Sequence, residues 1–464
     1  MKQKFQVFSL ILIALFQLSN AVNAQIFFKQ HPQINPYQYT IVKEQSFQKA
    51  AVTSAHPLAS MVGAAIMKDG GNAYDAAIAV QFTLAVVYPA AGNIGGGGFL
   101  LSRNKEGVLM GIDFREAAPS KAHRDMYLDE NGNPIDGMSR LGASASGIPG
   151  SVAGMFSTLP FAKMTMKQLL QPAYELAANG FVITESEARS LNAERKNFIN
   201  HSAQASAFTR KENWKAGDTL YQPELAATIL RIQQKGKAGF YEGETADLIV
   251  KEMKNSKGVI SLEDLKNYNP KFRKPIEFDY RGHHIISFAP PSSGGILIAQ
   301  MMQMIAPYPV SVMGANSFES VSLMVEAQRR AYADRAEHMG DPDYWKVPTT
   351  TLTSNAYAQD RMKDYQAGVA GNSKNIQAGV AKESEQTTHF SIIDEAGNMV
   401  AVTTTLNGSY GNKTIVGGAG FLLNNEMDDF SIKPGVPNMY GALGGEANAI
   451  QPGKRMLSSM TPTL

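Results

Sequence analysis

The 464-residue chain contains no cysteine. That excludes a disulfide framework, a thiolate metal site and a cysteine nucleophile, and it leaves the compartment open. Neither charge is in excess: 43 Lys and Arg stand against 41 Asp and Glu, a formal net charge of +2, with the signs interspersed. Without a basic stripe or aromatic–basic interleaving, nucleic acid and anionic membrane surfaces are poor partners. Past the first residues no apolar run is long enough to cross a bilayer. Internal repeats are absent, as is a clean linker between separately cored domains. The composition, 44% hydrophobic and 18% charged, is that of a globular protein.

The N-terminus carries an address. Lys2 and Lys4 precede an apolar run from Phe8 to Phe16, then polar residues, then Val22-Asn23-Ala24. A basic start, a run too short to span a membrane and small residues at the cut site predict a signal peptide over residues 1–24. The mature chain is expected to be exported, periplasmic or secreted, and to begin near Gln25.

Residues 58–69 have helical periodicity and stop at Gly70-Gly71. Ala73–Val87 is apolar nearly all round, so it is expected as a buried helix stopped by Pro89. The glycine run Gly92-Asn93-Ile94-Gly95-Gly96-Gly97-Gly98 then opens a strand at Phe99-Leu100-Leu101. A phosphate-cradling loop runs from strand to helix and ends in Gly-Lys-Ser/Thr, so this run is no nucleotide site. Close backbone packing is the use expected of it. A second strand, Val108–Phe114, ends in Asp113-Phe114-Arg115-Glu116, where Arg115 is either a carboxylate clamp or a structural ion pair. Helical patterns fill 166–256, strand signals 275–288, a turn Pro290–Gly295, and further helices 296–305 and 317–337.

The chemistry is centred on Thr387-Thr388-His389-Phe390-Ser391 and Met399–Asn407, two β-branched runs flanking Glu395-Ala396-Gly397-Asn398. These read as a hairpin. A two-residue tip at Ala396-Gly397 sets Thr387 opposite Leu406, with Thr405 and Asn407 adjacent. Period two puts Thr387, His389 and Ser391 on one face and Thr388, Phe390 and Ile392 on the other. An internal threonine has no base beside its hydroxyl. Cutting the bond after Gln386 would free the α-amine of Thr387 to act as that base, and the same hydroxyl can make the cut by attacking the Gln386 carbonyl. The stretch 348–386, rich in Ser, Thr, Lys, Gln and Gly, is expected to leave that bond accessible. Downstream, Asn424–Ser431 clusters Glu426, Asp428 and Asp429, which could bind metal, hold an ammonium or cap a turn. No histidine at ligand spacing joins them and the EF-hand pattern is absent. Residues 433–445, rich in Gly and Pro around Tyr440, have the composition of a mobile surface loop.

These motifs, Asp113–Glu116, Pro290–Gly295, Thr387–Ser391, Thr405-Leu406-Asn407, Leu422–Ser431 and Lys454–Thr463, occur in the order found in bacterial γ-glutamyltranspeptidase (glutathione hydrolase) precursors. From about residue 45 to 464 the sequence resembles that family of N-terminal-nucleophile hydrolases. The resemblance implies an α+β fold, a four-layer αββα sandwich. It implies self-cleavage into a large subunit, 25–386, and a small one, 387–464. By position it makes Thr387 the nucleophile and Thr405 the threonine bonded to its amine. It gives the glutamyl α-carboxylate to Arg115, Ser458 and Ser459, the α-amine to Asn407, Glu426 and Asp429, and the lid to Tyr440. His389 is then structural, because the amine already serves as base. The implied substrates are glutathione or other γ-glutamyl compounds, with water, amino acids or peptides as acceptors and no metal or organic cofactor. A cephalosporin or glutaryl acylase shares the nucleophile, but a glutaryl group has no α-amine to occupy the acids. A non-catalytic binder of glutamyl compounds is the alternative of another class. Family members continue beyond Pro462-Thr463 into strands with a Gly-Gly oxyanion hole, whereas this sequence ends at Leu464. Losing that hole is expected to cost on the order of a hundredfold or more in rate.

Overall fold

The alternation of buried and exposed residues along Thr387–Ile393, in which Thr388, Phe390 and Ile392 are buried, places this strand at the face of a helical layer. A computed structural model describes residues 26–372 and 387–464. Its main sheet has six antiparallel strands, in the order Ala51–Thr53, Thr387–Ile393, Met399–Thr405, Gly97–Arg103, Leu109–Asp113, Lys271–Arg273. The signal-peptide reading and the bond after Gln386 lie outside the described residues.

One face of the sheet, carrying Leu100, Ile112, Phe390, Ile392, Val400 and Val402, packs on the helices Pro57–Lys68 and Ala73–Val87 in the largest apolar cluster. Every residue of Ala73–Val87 is buried. Its N-terminus is closed by a reciprocal cap: Asn72 Oδ1 accepts from the backbone N–H of Tyr74 (2.9 Å) and Asp75 (3.1 Å), and Asp75 Oδ2 accepts from Asn72 N–H (2.8 Å).

The other face carries Phe99 and Leu101 against Ile286, Phe288 and Met460. Ile286 belongs to a separate hairpin, Ile276–Tyr280 with His283–Ser287, whose backbone also exchanges hydrogen bonds with Leu464 (2.8 and 2.9 Å). Beyond that hairpin lie the helix Gly294–Ile305, through Ile296 and Leu297, and then Phe318–His338. The layers therefore run helix, six-stranded sheet, two-stranded sheet, helix, the αββα order that the family resemblance implies.

The hairpin register differs by one residue from the sequence expectation. Thr387 faces Thr405, not Leu406. The loop holds three residues rather than two: Asp394 and Asn398 close it, with Asp394 N–H donating to the Asn398 carbonyl (3.1 Å). The Asp394 carboxylate accepts from Asn398 N–H (2.9 Å), Asn398 Nδ2 (2.7 Å) and Ala73 N–H (3.0 Å), which ties the turn to the helix start. Gly397, at φ +89°, supplies the left-handed residue such loops need.

Candidate active site

Thr387 opens its strand directly opposite Thr405, next in the sheet to Gly97. The glycine run brings these backbones together. A Cβ at Gly96 would strike the Thr405 carbonyl, one at Gly98 the Thr403 carbonyl, and one at Gly95 the Leu422 carbonyl. Asn93, inside the run, donates from Nδ2 to the Thr405 carbonyl (2.9 Å) and Thr404 Oγ1 (3.1 Å), while its Oδ1 accepts from Gly96 N–H (3.0 Å) and Ser151 Oγ (2.6 Å). Thr405 Oγ1 accepts from Asn407 N–H at 2.8 Å. Asn407 sits at φ +71°, a conformation that asparagine tolerates better than most residues. It donates from Nδ2 to the Asn425 carbonyl (3.0 Å) and lines the cavity described next.

A cavity of about 360 Å³ is lined by Thr387, His389, Thr403, Thr405, Asn407, Arg115, Arg335, Asp429, Asn438, Tyr440, Ser458 and Ser459, among others. Eight residues named from the sequence thus share one wall: Thr387, Thr405, Asn407, Arg115, Asp429, Tyr440, Ser458 and Ser459. Glu426 does not line it. It is fully buried behind Arg115, its carboxylate turned to the Arg115 guanidinium. A second cavity, about 260 Å³, touches Thr387 from the side of Tyr88, Phe181, Glu187 and Tyr410.

Arg115 is buried, and its donors are occupied. Nη1 meets Glu426 and, at 3.7 Å, Glu116; Nη2 meets Asp429 at 2.5 Å and the Leu457 carbonyl at 3.4 Å; Nε meets the Met456 carbonyl at 3.4 Å. Burial works against the cation, but Glu426, Asp429 and Glu116 together outweigh it and hold Arg115 above its ordinary value. Three carboxyl groups thus face one guanidinium. Burial pushes the Glu426 carboxyl well above the carboxylate range and raises Glu116 to about 8, against the opposing pull of Arg115. Among the described residues no group of three or more metal-ligating side chains forms a cage, the acids at 426–429 included.

The raised Glu116 value has a testable sign. An acid that keeps its proton in the fold while the unfolded chain gives it up favours the fold at low pH. That contribution is fully present below the ordinary value of 4.5 and is lost as pH rises through about 8. Glu116→Gln keeps the shape without the charge. Its Tm is expected to match wild type near pH 5 and to exceed it by about a few degrees near pH 9, read by calorimetry across that range. A constant difference would show that Glu116 does not titrate in this window.

His389 Nδ1 lies 2.8 Å from Thr403 Oγ1 and Nε2 lies 2.9 Å from Ser391 Oγ, so both ring nitrogens are engaged away from Thr387. Burial holds its pKa below the ordinary value. Ser458 and Ser459 are positioned by the Pro290–Gly295 turn: Ser293 donates to the Ser458 carbonyl through N–H and Oγ, both at 2.8 Å, and Ser458 N–H donates to the Pro291 carbonyl at 2.9 Å. The 433–445 loop is bound to the acids beneath it, Asn438 Nδ2 to Asp429 Oδ1 (3.1 Å) and Met439 N–H to Asp428 Oδ2 (2.9 Å). Arg335, Tyr332 and Asn438, which line the cavity, and Asn93, which braces Thr405 from behind, are among the residues that the sequence did not single out. Asn93 had a visible signal, as the one polar residue inside the glycine run.

Layered helices and sheets around a threonine that opens the strand next to the sheet edge define an N-terminal-nucleophile hydrolase. The fold resembles the cephalosporin acylase of Bacillus halodurans at a TM-score of 0.76 and 23% identity, over 92% of this chain and 77% of that one. The γ-glutamyltranspeptidase family model matches residues 59–464, and the chain belongs to that family. It is 45% identical over 422 residues to the glutathione hydrolase proenzyme of Escherichia coli, covering 90% of this chain and 73% of the relative. Its structure is similar to the crystal structure of Helicobacter pylori γ-glutamyltranspeptidase, with a TM-score of 0.70 and 40% identity over 74% of this chain and 99% of that one.

Proposed function

We propose that this protein cleaves itself between Gln386 and Thr387 and then transfers γ-glutamyl groups by way of a threonyl ester. The Thr387 hydroxyl adds to the γ-carbonyl of glutathione or a related amide, and its proton passes to the Thr387 α-amine. The C–N bond breaks, the departing amine takes that proton, and the glutamyl group remains as an ester. Water, an amino acid or a peptide amine then attacks the ester, gives up a proton to the same amine and releases Thr387. The cut separates a large subunit, which ends at Gln386, from a small one that begins at Thr387, and the mature protein is exported to the periplasm or the medium. Among the described residues no helix is long and apolar enough to cross a membrane.

The observation that carries this reading is the cavity wall that joins Thr387 and Thr405 to cationic, acidic and amide side chains, Arg115, Asp429 and Asn407. A glutamyl head is a zwitterion and requires donors on one side and acceptors on the other. Ser458 and Ser459 supply hydroxyl donors next to the Arg115 guanidinium; Asp429 and Asn407 supply acceptors, with Glu426 setting the charge around Arg115. Tyr440 covers the cavity from the loop.

The test is turnover of a γ-glutamyl anilide against a glutaryl anilide, with and without a dipeptide acceptor. Wild-type protein is expected to favour the glutamyl compound by at least about a hundredfold in kcat/KM, since the glutaryl compound leaves the acids unpaired, and to release aniline faster with the dipeptide. A preference for glutaryl would make the protein an acylase. Binding of glutamate without turnover of either anilide would make it a binder.

A further inference from the structure

Two segments of the chain line the side of the cavity where a glutamyl head would sit. Asp429 comes from the turn Glu426–Asp429, and Ser458 and Ser459 from the stretch that follows Leu457. Arg115 touches both, but it reaches the second only through the Met456 and Leu457 carbonyls, each at 3.4 Å. Shorter bonds come from Asn448, a residue 4% exposed that sits behind the cavity wall rather than in it. Its Nδ2 donates to the Asp429 carbonyl at 2.7 Å, and its Oδ1 accepts from the Leu457 N–H at 2.9 Å. One amide thus joins the backbone of the acid to the backbone one residue ahead of Ser458. A carbonyl only accepts and an N–H only donates, so the two partners fix which way the amide points. Among side chains of this length only asparagine presents both edges.

The turn that carries Asn448 is held without that side chain. Its carbonyl accepts from Ser431 N–H at 2.9 Å and its N–H donates to the Gly445 carbonyl at 3.2 Å, at the two feet of the 433–445 loop. The buried Lys454 donates from Nζ to the carbonyls of Ala447 (2.9 Å) and Ala449 (3.0 Å), on either side of it. Main chain and Lys454 make these bonds, so a change of side chain at 448 cuts the link between the two segments and leaves the turn in place.

We infer that Asn448 is a positioning residue for γ-glutamyl substrates, its amide setting the spacing between Asp429 and the Ser458-Ser459 hydroxyls. This rests on the γ-glutamyl reading above. The ammonium and the carboxylate of a glutamyl head branch from one carbon, so the groups that receive them have to keep a fixed separation. A drift of about 1 Å between the two sides costs on the order of a hundredfold when both are engaged at once. A substrate that carries only one of the two charges is indifferent to that spacing, because it can settle on the side it uses.

The experiment measures kcat/KM for three anilides, γ-glutamyl, glutaryl (no α-amine) and 4-aminobutyryl (no α-carboxylate), on the wild-type chain, Asn448→Ala and Asn448→Asp. Asn448→Ala is expected to lower the γ-glutamyl value by at least about tenfold, mainly through KM, and to leave the other two within about twofold. Asn448→Asp keeps an acceptor for Leu457 N–H but sets a carboxylate oxygen against the Asp429 carbonyl, so the same substrate-selective loss is expected. Equal losses on all three anilides, or an unchanged preference for the γ-glutamyl one, overturn the assignment. Calorimetric Tm reports whether each variant is folded, and failure of both to fold would make Asn448 a residue of the fold and overturn it too. If wild type turns over none of the anilides, or prefers the glutaryl one, it is the γ-glutamyl reading that fails. If wild type prefers the γ-glutamyl anilide and both variants keep that preference, only the Asn448 assignment fails.

Discussion

Replacing Thr387 with alanine is expected to leave the chain uncut and to lower γ-glutamyl turnover by at least about 10⁴-fold, since one substitution removes both the nucleophile and the group that severs the preceding bond. The fold should survive. The Thr387 side chain is exposed at the start of its strand, and the apolar residues that anchor the strand, Phe390 and Ile392, lie on the other face. Thr387→Ser keeps a hydroxyl and an α-amine, so it is expected to be cut and to retain measurable activity. Denaturing electrophoresis and anilide turnover on the three proteins separate the outcomes. An active, uncut Thr387→Ala protein would assign the chemistry to another residue.

Arg115→Gln is expected to be the most destabilising change at the site. It removes the partner of Asp429 and Glu426 and leaves buried acids without a countercharge, a loss of about 3–5 kcal/mol. The loss should grow with pH, because protonation relieves a stranded carboxylate and deprotonation penalises it. Burial already pushes the Glu426 and Glu116 carboxyls upward while Arg115 is present, so its removal is expected to raise them further. Activity should fall by at least about a hundredfold, since Asp429 and the Met456-Leu457 backbone that leads into Ser458 both rest against this side chain. Chemical denaturation near pH 6 and near pH 9 provides the check. A variant within about 1 kcal/mol of wild type at both values would mean that the acids do not depend on Arg115.

Much of this was legible in the residues because the signals were local. The Ala73–Val87 helix, the glycine run and the two faces of the Thr387 hairpin follow from periodicity and from the space a glycine leaves. The register did not follow, because it depends on the Asp394 side chain reaching both Asn398 and the N-terminus of a helix more than three hundred residues earlier. The orientation of Glu426 was hidden for the same kind of reason. Its spacing from Asp429 says that the two acids are close, but only the fold shows that a guanidinium from another strand end intervenes. Arg335 gave no signal at all. In sequence it is one more cation on a long amphipathic helix, and its burial beside Ser459 is set by the 290–295 turn and the segment after Leu457 packing over that helix.

The measurement that bears most directly on the account is N-terminal sequencing of an active wild-type preparation resolved on a denaturing gel. Two pieces are expected, the smaller beginning at Thr387. An intact bond between residues 386 and 387 in protein that still turns over γ-glutamyl amides would contradict it.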